Sequence, residues 1–201
     1  MSAIISADET LFFWINGVAG KVPILDWLMS LLGDDYFIFT IMALILLGLW
    51  FGFRSAPQQG LNQRAVLCAV LAVGLTGLIF FLLLAEYGPD RLRPSDAHPD
   101  LVNLLTYERS DPSFPSEPAA IAFAFATGAW LIKRGRIGAV MLFMATLLAF
   151  ARVYVGVHYP LDVLAGAAIG ILLSFAAFGV LRLVEPVPTR LLNGMRRIYL
   201  T

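Results

Sequence analysis

The chain has 201 residues, 59% hydrophobic and only 14% charged, with fourteen basic and fourteen acidic side chains and a mean hydropathy of +0.80. This balance excludes an ordinary soluble domain, and zero net charge gives no basis for a nucleic-acid partner. The single cysteine, Cys68, excludes an internal disulfide and a cysteine-based zinc site, and its apolar surroundings assign it to packing.

One all-α integral membrane domain is expected over residues 1–201. Residues 1–34 hold two apolar pieces, Leu11–Ala19 and Val22–Leu32, split by Gly20, Lys21 and Pro23. Neither spans alone, so interfacial or re-entrant helices are expected, anchored by Trp14, Trp27 and Tyr36. A cleavable leader is not expected, because the start has no basic region and no small-residue cleavage site. A crossing helix needs about 20 apolar residues. The segments of residues 35–184 that approach this are Asp35–Phe53, Gln63–Tyr87, Glu117–Ile132, Ile137–Phe150 (extending to Val155) and Leu161–Val184. The prediction is a helical bundle of about five transmembrane helices, with a basic amphipathic tail over residues 185–201 lying on the anionic leaflet.

Lys and Arg fix the orientation of such a bundle. Arg54 and Arg64, the turn Lys133-Arg134-Gly135-Arg136, and Arg182, Arg190, Arg196 and Arg197 all fall on one side, with Glu185 their only acid. The other side carries Asp8, Glu9, Asp26, Asp34, Asp35 and the acid-rich loop from Glu86 to Glu117. The basic side, with the C-terminus, is therefore expected in the cytoplasm. The loops 88–116 and 152–160 then face outward together.

Those two loops hold the candidate chemistry. Ala151–Asp162 reads ARVYVGVHYPLD, which places Arg152, His158 and Asp162 at Arg-x5-His-x3-Asp spacing at a membrane edge, where charge is costly and usually functional. An Asp at a helix start can orient a preceding imidazole and leave its other nitrogen free as nucleophile or base. In the long loop Arg91, Arg93 and Arg109 are candidates to grip an oxyanion. Surface pairing with Asp90 and Glu108 is the competing fate of Arg91 and Arg109, whereas Pro94 fixes an extended backbone at Arg93. Ser116, Glu117 and Pro118 read as an N-cap and first helical turn, and a helix start also offers N–H groups to a phosphate.

Together these segments resemble the type 2 phosphatidic acid phosphatase superfamily of membrane lipid phosphatases. The family pattern is Lys-x6-Arg-Pro, Pro-Ser-Gly-His and Ser-Arg-x5-His-x3-Asp. Here it reads Glu86-x6-Arg93-Pro94, Pro115-Ser116-Glu117-Pro118 and Ala151-Arg152-x5-His158-x3-Asp162. The runs SFPSEPAAIAFAFA and ARVYVGVHYPLDVLAGAAIG look most like bacterial undecaprenyl-diphosphate phosphatases. The resemblance implies a bacterial plasma (inner) membrane enzyme whose site faces the periplasm or exterior and whose substrate is a lipid phosphate or diphosphate. It implies His158 as the nucleophile, Asp162 as the group holding its tautomer, and Arg93, Arg152 and Ser116 as phosphate ligands. Neither cofactor nor metal is implied.

The departures carry as much information. Pro118 stands where the family's second motif has its proton-donating His, Glu86 replaces its Lys, and Glu117 stands at its Gly. One reading is a substrate whose leaving group needs little protonation, such as a lipid diphosphate, with Glu117 or His98 as substitute acid. A second is an enzyme directed at phosphodiester headgroups, with Glu86 and Glu117 near a cation. A third is a lipid-phosphate binding or transport protein that keeps the pocket and not the chemistry.

Overall fold

The computed structural model describes residues 2–52, 56–84, 87–133 and 135–197. Glu86, Arg54 and Arg134 therefore lie outside the described residues. All regular structure among the described residues is helical: α1 (Ser2–Asn16), α2 (Pro23–Leu32), α3 (Phe37–Phe51), α4 (Ala56–Ile79, continued by a π-helical turn over Phe80–Leu84), the short α5 (Pro94–Ala97), α6 (Glu117–Ile132), α7 (Arg136–Tyr154), α8 (Pro160–Leu183) and α9 (Val187–Arg197).

Among the described residues three helices are long and apolar enough to cross a membrane: α4, α7 and α8. The first crossing differs from expectation. α3 has only 15 residues and qualifies only with α2, across a break bent by 52°. The break follows from sequence: Gly33 ends α2, and the Asp34 carboxylate accepts the N–H groups of Tyr36 (2.8 Å) and Phe37 (3.0 Å) to start α3 on a new axis. Trp14, Trp27 and Tyr36 are all exposed, as the anchor reading requires.

α6 is the centre of the bundle, although at 16 residues it rises only about 24 Å. It packs against α4, α7 and α8. Its inner faces carry Ala119, Ala120, Ala122, Ala124, Ala126, Thr127, Gly128 and Ala129, all buried. Small side chains let the backbones close in. A Cβ on Gly166 of α8 would come 2.2 Å from the Ser116 carbonyl oxygen, and one on Gly170 would come 2.1 Å from that of Ala120. One turn on, Ser174 donates to the Ala124 carbonyl at 3.3 Å. Cys68 is buried beside Ala72, Ala124 and Ala177, in packing as expected.

α1 lies against α7 and α8, with Phe12 buried on Val153 and Tyr159. At its C-terminus Asn16, almost fully buried, clamps the loops 88–116 and 152–160 together. Its amide donates to the carbonyls of Asn103 and Tyr154 (2.9 Å each), and its oxygen accepts the Asn103 N–H (2.9 Å). Gly156 faces this clamp at φ +92, where a Cβ would meet Val102 at 2.9 Å. At the opposite end of the bundle Arg64 pairs with Glu185 (2.8 Å), which ties α4 to the start of the tail helix.

Candidate active site

The loop between α7 and α8 turns the chain so that His158 precedes a helix start. Tyr159 is the N-cap of α8 and Asp162 is its third residue, whose Oδ2 accepts the Tyr159 N–H at 2.7 Å. The same carboxylate is fully buried. It accepts the Ser113 hydroxyl at 2.5 Å and an Arg91 N–H at 2.6 Å. The Asp162 backbone carbonyl also accepts the Ser116 N–H at 3.0 Å. Asp162 is thus the joint between the long loop, α6 and α8.

The expected direct Asp162–His158 hydrogen bond is replaced by an indirect arrangement. Nδ1 of His158 lies 3.9 Å from the carboxylate but 2.9 Å from the Ser113 carbonyl oxygen, to which it donates. Asp162 holds Ser113, and Ser113 holds the imidazole. The proton is fixed on Nδ1, leaving Nε2 with its lone pair. Burial, and then the charges of Arg152 and Arg93, hold the His158 pKa well below the ordinary imidazole value. The ring is therefore held neutral, with Nε2 unprotonated.

Arg93 lies at the bare nitrogen, its Nη1 3.4 Å from Nε2. It is fixed by the Val157 carbonyl (2.9 Å), the Asp111 carbonyl (2.9 Å) and the Asp111 carboxylate (2.6 Å). Arg152, on the last turn of α7, donates from Nη1 to the Gly33 carbonyl (2.8 Å) and to Asp35 (2.9 Å). Its Nε and Nη2 are buried without a hydrogen-bond partner, as is the Ser116 hydroxyl. Ser116 occupies the N-cap position of α6 as expected, but its side chain makes no cap hydrogen bond. Buried polar groups left unpaired are costly. Arg152 and Ser116 thus leave buried polar atoms that an anion's oxygens could engage.

His158 and Arg93 border a cleft of about 590 Å³, whereas Arg152 and Ser116 are not among its lining residues. One wall is polar, with Arg93, Arg109, Asp35, Asp111, Glu117 and His158; the other is apolar, with Phe39, Phe80, Phe81, Leu84 and Ile121. Of the aromatic side chains that could line a lipid groove, Phe80 and Phe81 do so, while Phe123 and Phe125 pack on the core.

Other candidates fall elsewhere. Arg91 sits behind the site, over the Tyr159 ring (3.9 Å), bonded to Asp162 and to Asp8 (2.7 Å) rather than to Asp90. Arg109 pairs with Asp35 rather than Glu108. His98 packs edge-on against Phe13 (5.3 Å between ring centres) and does not line the cleft. Three carboxylates were not anticipated as partners: Asp8, Asp35 and Asp111. Their only sequence signal was acid near arginine, which most loops share. Ser113 contributes a main-chain oxygen, which no residue type announces.

Residues 65–184 match the PAP2 superfamily. The chain belongs to that family. It is 31% identical over 179 residues to the undecaprenyl-diphosphatase BcrC of Bacillus subtilis, covering 88% of this chain and 85% of that one. It is 34% identical over 177 residues to an undecaprenyl-diphosphatase of Sulfolobus acidocaldarius, with 85% and 77% covered. The crystal structure of Aquifex aeolicus LpxE superposes with a TM-score of 0.65 at 29% identity, over 85% of this chain and 93% of that one. Motif, fold and relatives thus agree on a helical membrane protein of the lipid phosphatase class.

Proposed function

We propose that this protein removes the terminal phosphate of a polyprenyl-type lipid diphosphate at the outer face of the plasma membrane, through a phosphohistidine on His158. The observation that carries this reading is the unprotonated Nε2 of a neutral His158 beside a cleft with one polar, arginine-bearing wall and one apolar wall. A lipid phosphate needs both walls. Two relatives carry undecaprenyl-diphosphatase as their name, which supports a diphosphate. The outward orientation is supported by Arg64, Lys133, Arg136 and Arg182 at the far end of the bundle.

In the first step Nε2 bonds to the terminal phosphorus, and the bond to the bridging oxygen breaks, releasing a lipid monophosphate. Arg93, Arg152 and Ser116 hold the transferred group's oxygens. In the second step water attacks the phosphorus, and the N–P pair returns to Nε2. We assign the attacking water's proton to Glu117, the second motif's ionisable side chain on the cleft wall.

The phosphodiester reading rests on Glu86, outside the described residues, and on Glu117. It and the pure binding reading come second because two relatives are named as diphosphatases. Phosphate release from purified protein, across lipid monophosphates, diphosphates and phosphodiesters, separates the three. Diphosphate turnover is expected to lead, and His158→Ala to lower it on the order of 10³-fold or more. Phosphodiester cleavage, or lipid binding without His158-dependent release, would overturn the proposal.

A further inference from the structure

The second motif poses a chemical problem. Pro118 lines the cleft but carries no proton to give to a leaving oxygen. His98, the other histidine, is packed on Phe13. Yet the cleft contains an arginine with no place in the family pattern. Arg109 lines it together with His158, its Nε is buried without a hydrogen-bond partner, and its guanidinium lies 4.9 Å from the Tyr107 ring centre.

Asp35 fixes where that arginine points. Its Oδ1 accepts from Arg152 and its Oδ2 from Arg109, so one carboxylate spans the two guanidinium groups. Arg152 and Arg109 therefore flank the Asp35 carboxylate, one on each of its oxygens. Two guanidinium groups held by one carboxylate are close enough to engage adjacent phosphates of a single diphosphate. Arg152 would serve the phosphate next to His158, and Arg109 the one beyond it.

We propose that Arg109 is the specificity residue of this cleft: it holds the leaving phosphate of the diphosphate and stabilises its departing charge in place of a proton donor. The proposal rests on the diphosphatase reading above. As the P–O bond breaks, its electron pair stays on the bridging oxygen, which becomes a third terminal oxygen of the lipid monophosphate. No proton moves in this step. Arg109 meets the new charge as a permanent cation, since arginine does not deprotonate in the working pH range. A lipid monophosphate has no second phosphate to engage it, and its alkoxide leaving group gains nothing from this residue.

The test compares Arg109→Ala and Arg109→Lys with wild type in full-length protein, using a polyprenyl diphosphate and the matching monophosphate. Arg109→Ala is expected to lower the diphosphate-to-monophosphate ratio of kcat/KM by about 10²–10³, the usual cost of one oxyanion donor. Arg109→Lys, which keeps the charge without the fork, should recover part of it. In rapid-quench experiments Arg109→Ala should slow the first turnover, whereas Glu117→Gln should leave that turnover fast and slow later ones. Binding of a non-hydrolysable methylene bisphosphonate lipid gives a readout independent of turnover, and Arg109→Ala should weaken it more than binding of a monophosphonate.

Equal loss on both substrates, or a slow first turnover in Glu117→Gln, would overturn the Arg109 assignment alone. Absence of His158-dependent release from any lipid phosphate would overturn the phosphatase reading and this assignment with it. If Arg109→Ala does not fold, the wild-type pH profile decides. A leaving step served by arginine has no alkaline limb up to about pH 9, and a fall in first-turnover rate over that range would refute it.

Discussion

His158 is neutral because burial, and then the charges of Arg152, Arg93 and Arg109, outweigh the Ser113 carbonyl, which raises the pKa while it fixes the proton on Nδ1. Its pKa in the folded protein lies below the unfolded value of about 6.5. The sign of the stability effect follows. The contribution of a neutral, buried His158 is complete above pH 6.5 and is lost as pH falls toward the folded pKa. The acid limb of kcat should accordingly lie below pH 6.5, and a limb centred there would contradict a buried neutral nucleophile. Ser113→Ala removes the hydroxyl bond to Asp162 but keeps the carbonyl that holds the ring. It should cost about 1–3 kcal/mol of stability, with activity surviving far better than in His158→Ala; comparable activity losses would argue against a main-chain tether. At this scale the sequence was legible where side chains at fixed spacing are brought together, as with Arg152, His158 and Asp162. It was illegible where a main-chain oxygen or a distant carboxylate does the work, as with Ser113, Asp35 and Asp111.

Among the elements, α6 and α8 place the site. Gly166 and Gly170 bring α8 against the Ser116 and Ala120 carbonyls, so the start of α6 is positioned by close backbone contact. Gly166→Ala should force the helices apart at Ser116. It is expected to destabilise by about 1–3 kcal/mol and to lower turnover; unchanged thermal unfolding in detergent would show that the contact is looser than described. Helix identity was readable from apolar runs, because lipid-facing and core positions both demand apolar residues. The α2–α3 break was not, since Asp34 capping a fresh helix start looks like any acidic residue in a loop. The two arginine–carboxylate ties at the break, Arg152–Asp35 and Arg109–Asp35, link this N-terminal element to the end of α7 and to the long loop.

For the whole molecule, charge and structure divide the bundle into two ends. Arg64, Lys133 and Glu185 gather at one end, and the cleft opens at the other. A reporter fused to the C-terminus should read as cytoplasmic, and a cysteine introduced at Leu101, an exposed position on the long loop, should react with an impermeant reagent from outside. The reverse pattern would invert the orientation. The central position of α6 bears on how the chain is made. Its lining is alanine and glycine, and its partners are protein on several sides, so alone it offers a translocation channel little reason to release it sideways into lipid. α7 follows after a turn of only three residues, Lys133 to Gly135. The two helices would therefore enter the membrane as one hairpin, and the His158 loop at the end of α7 would cross the membrane in the same event that buries the helix capped by Ser116.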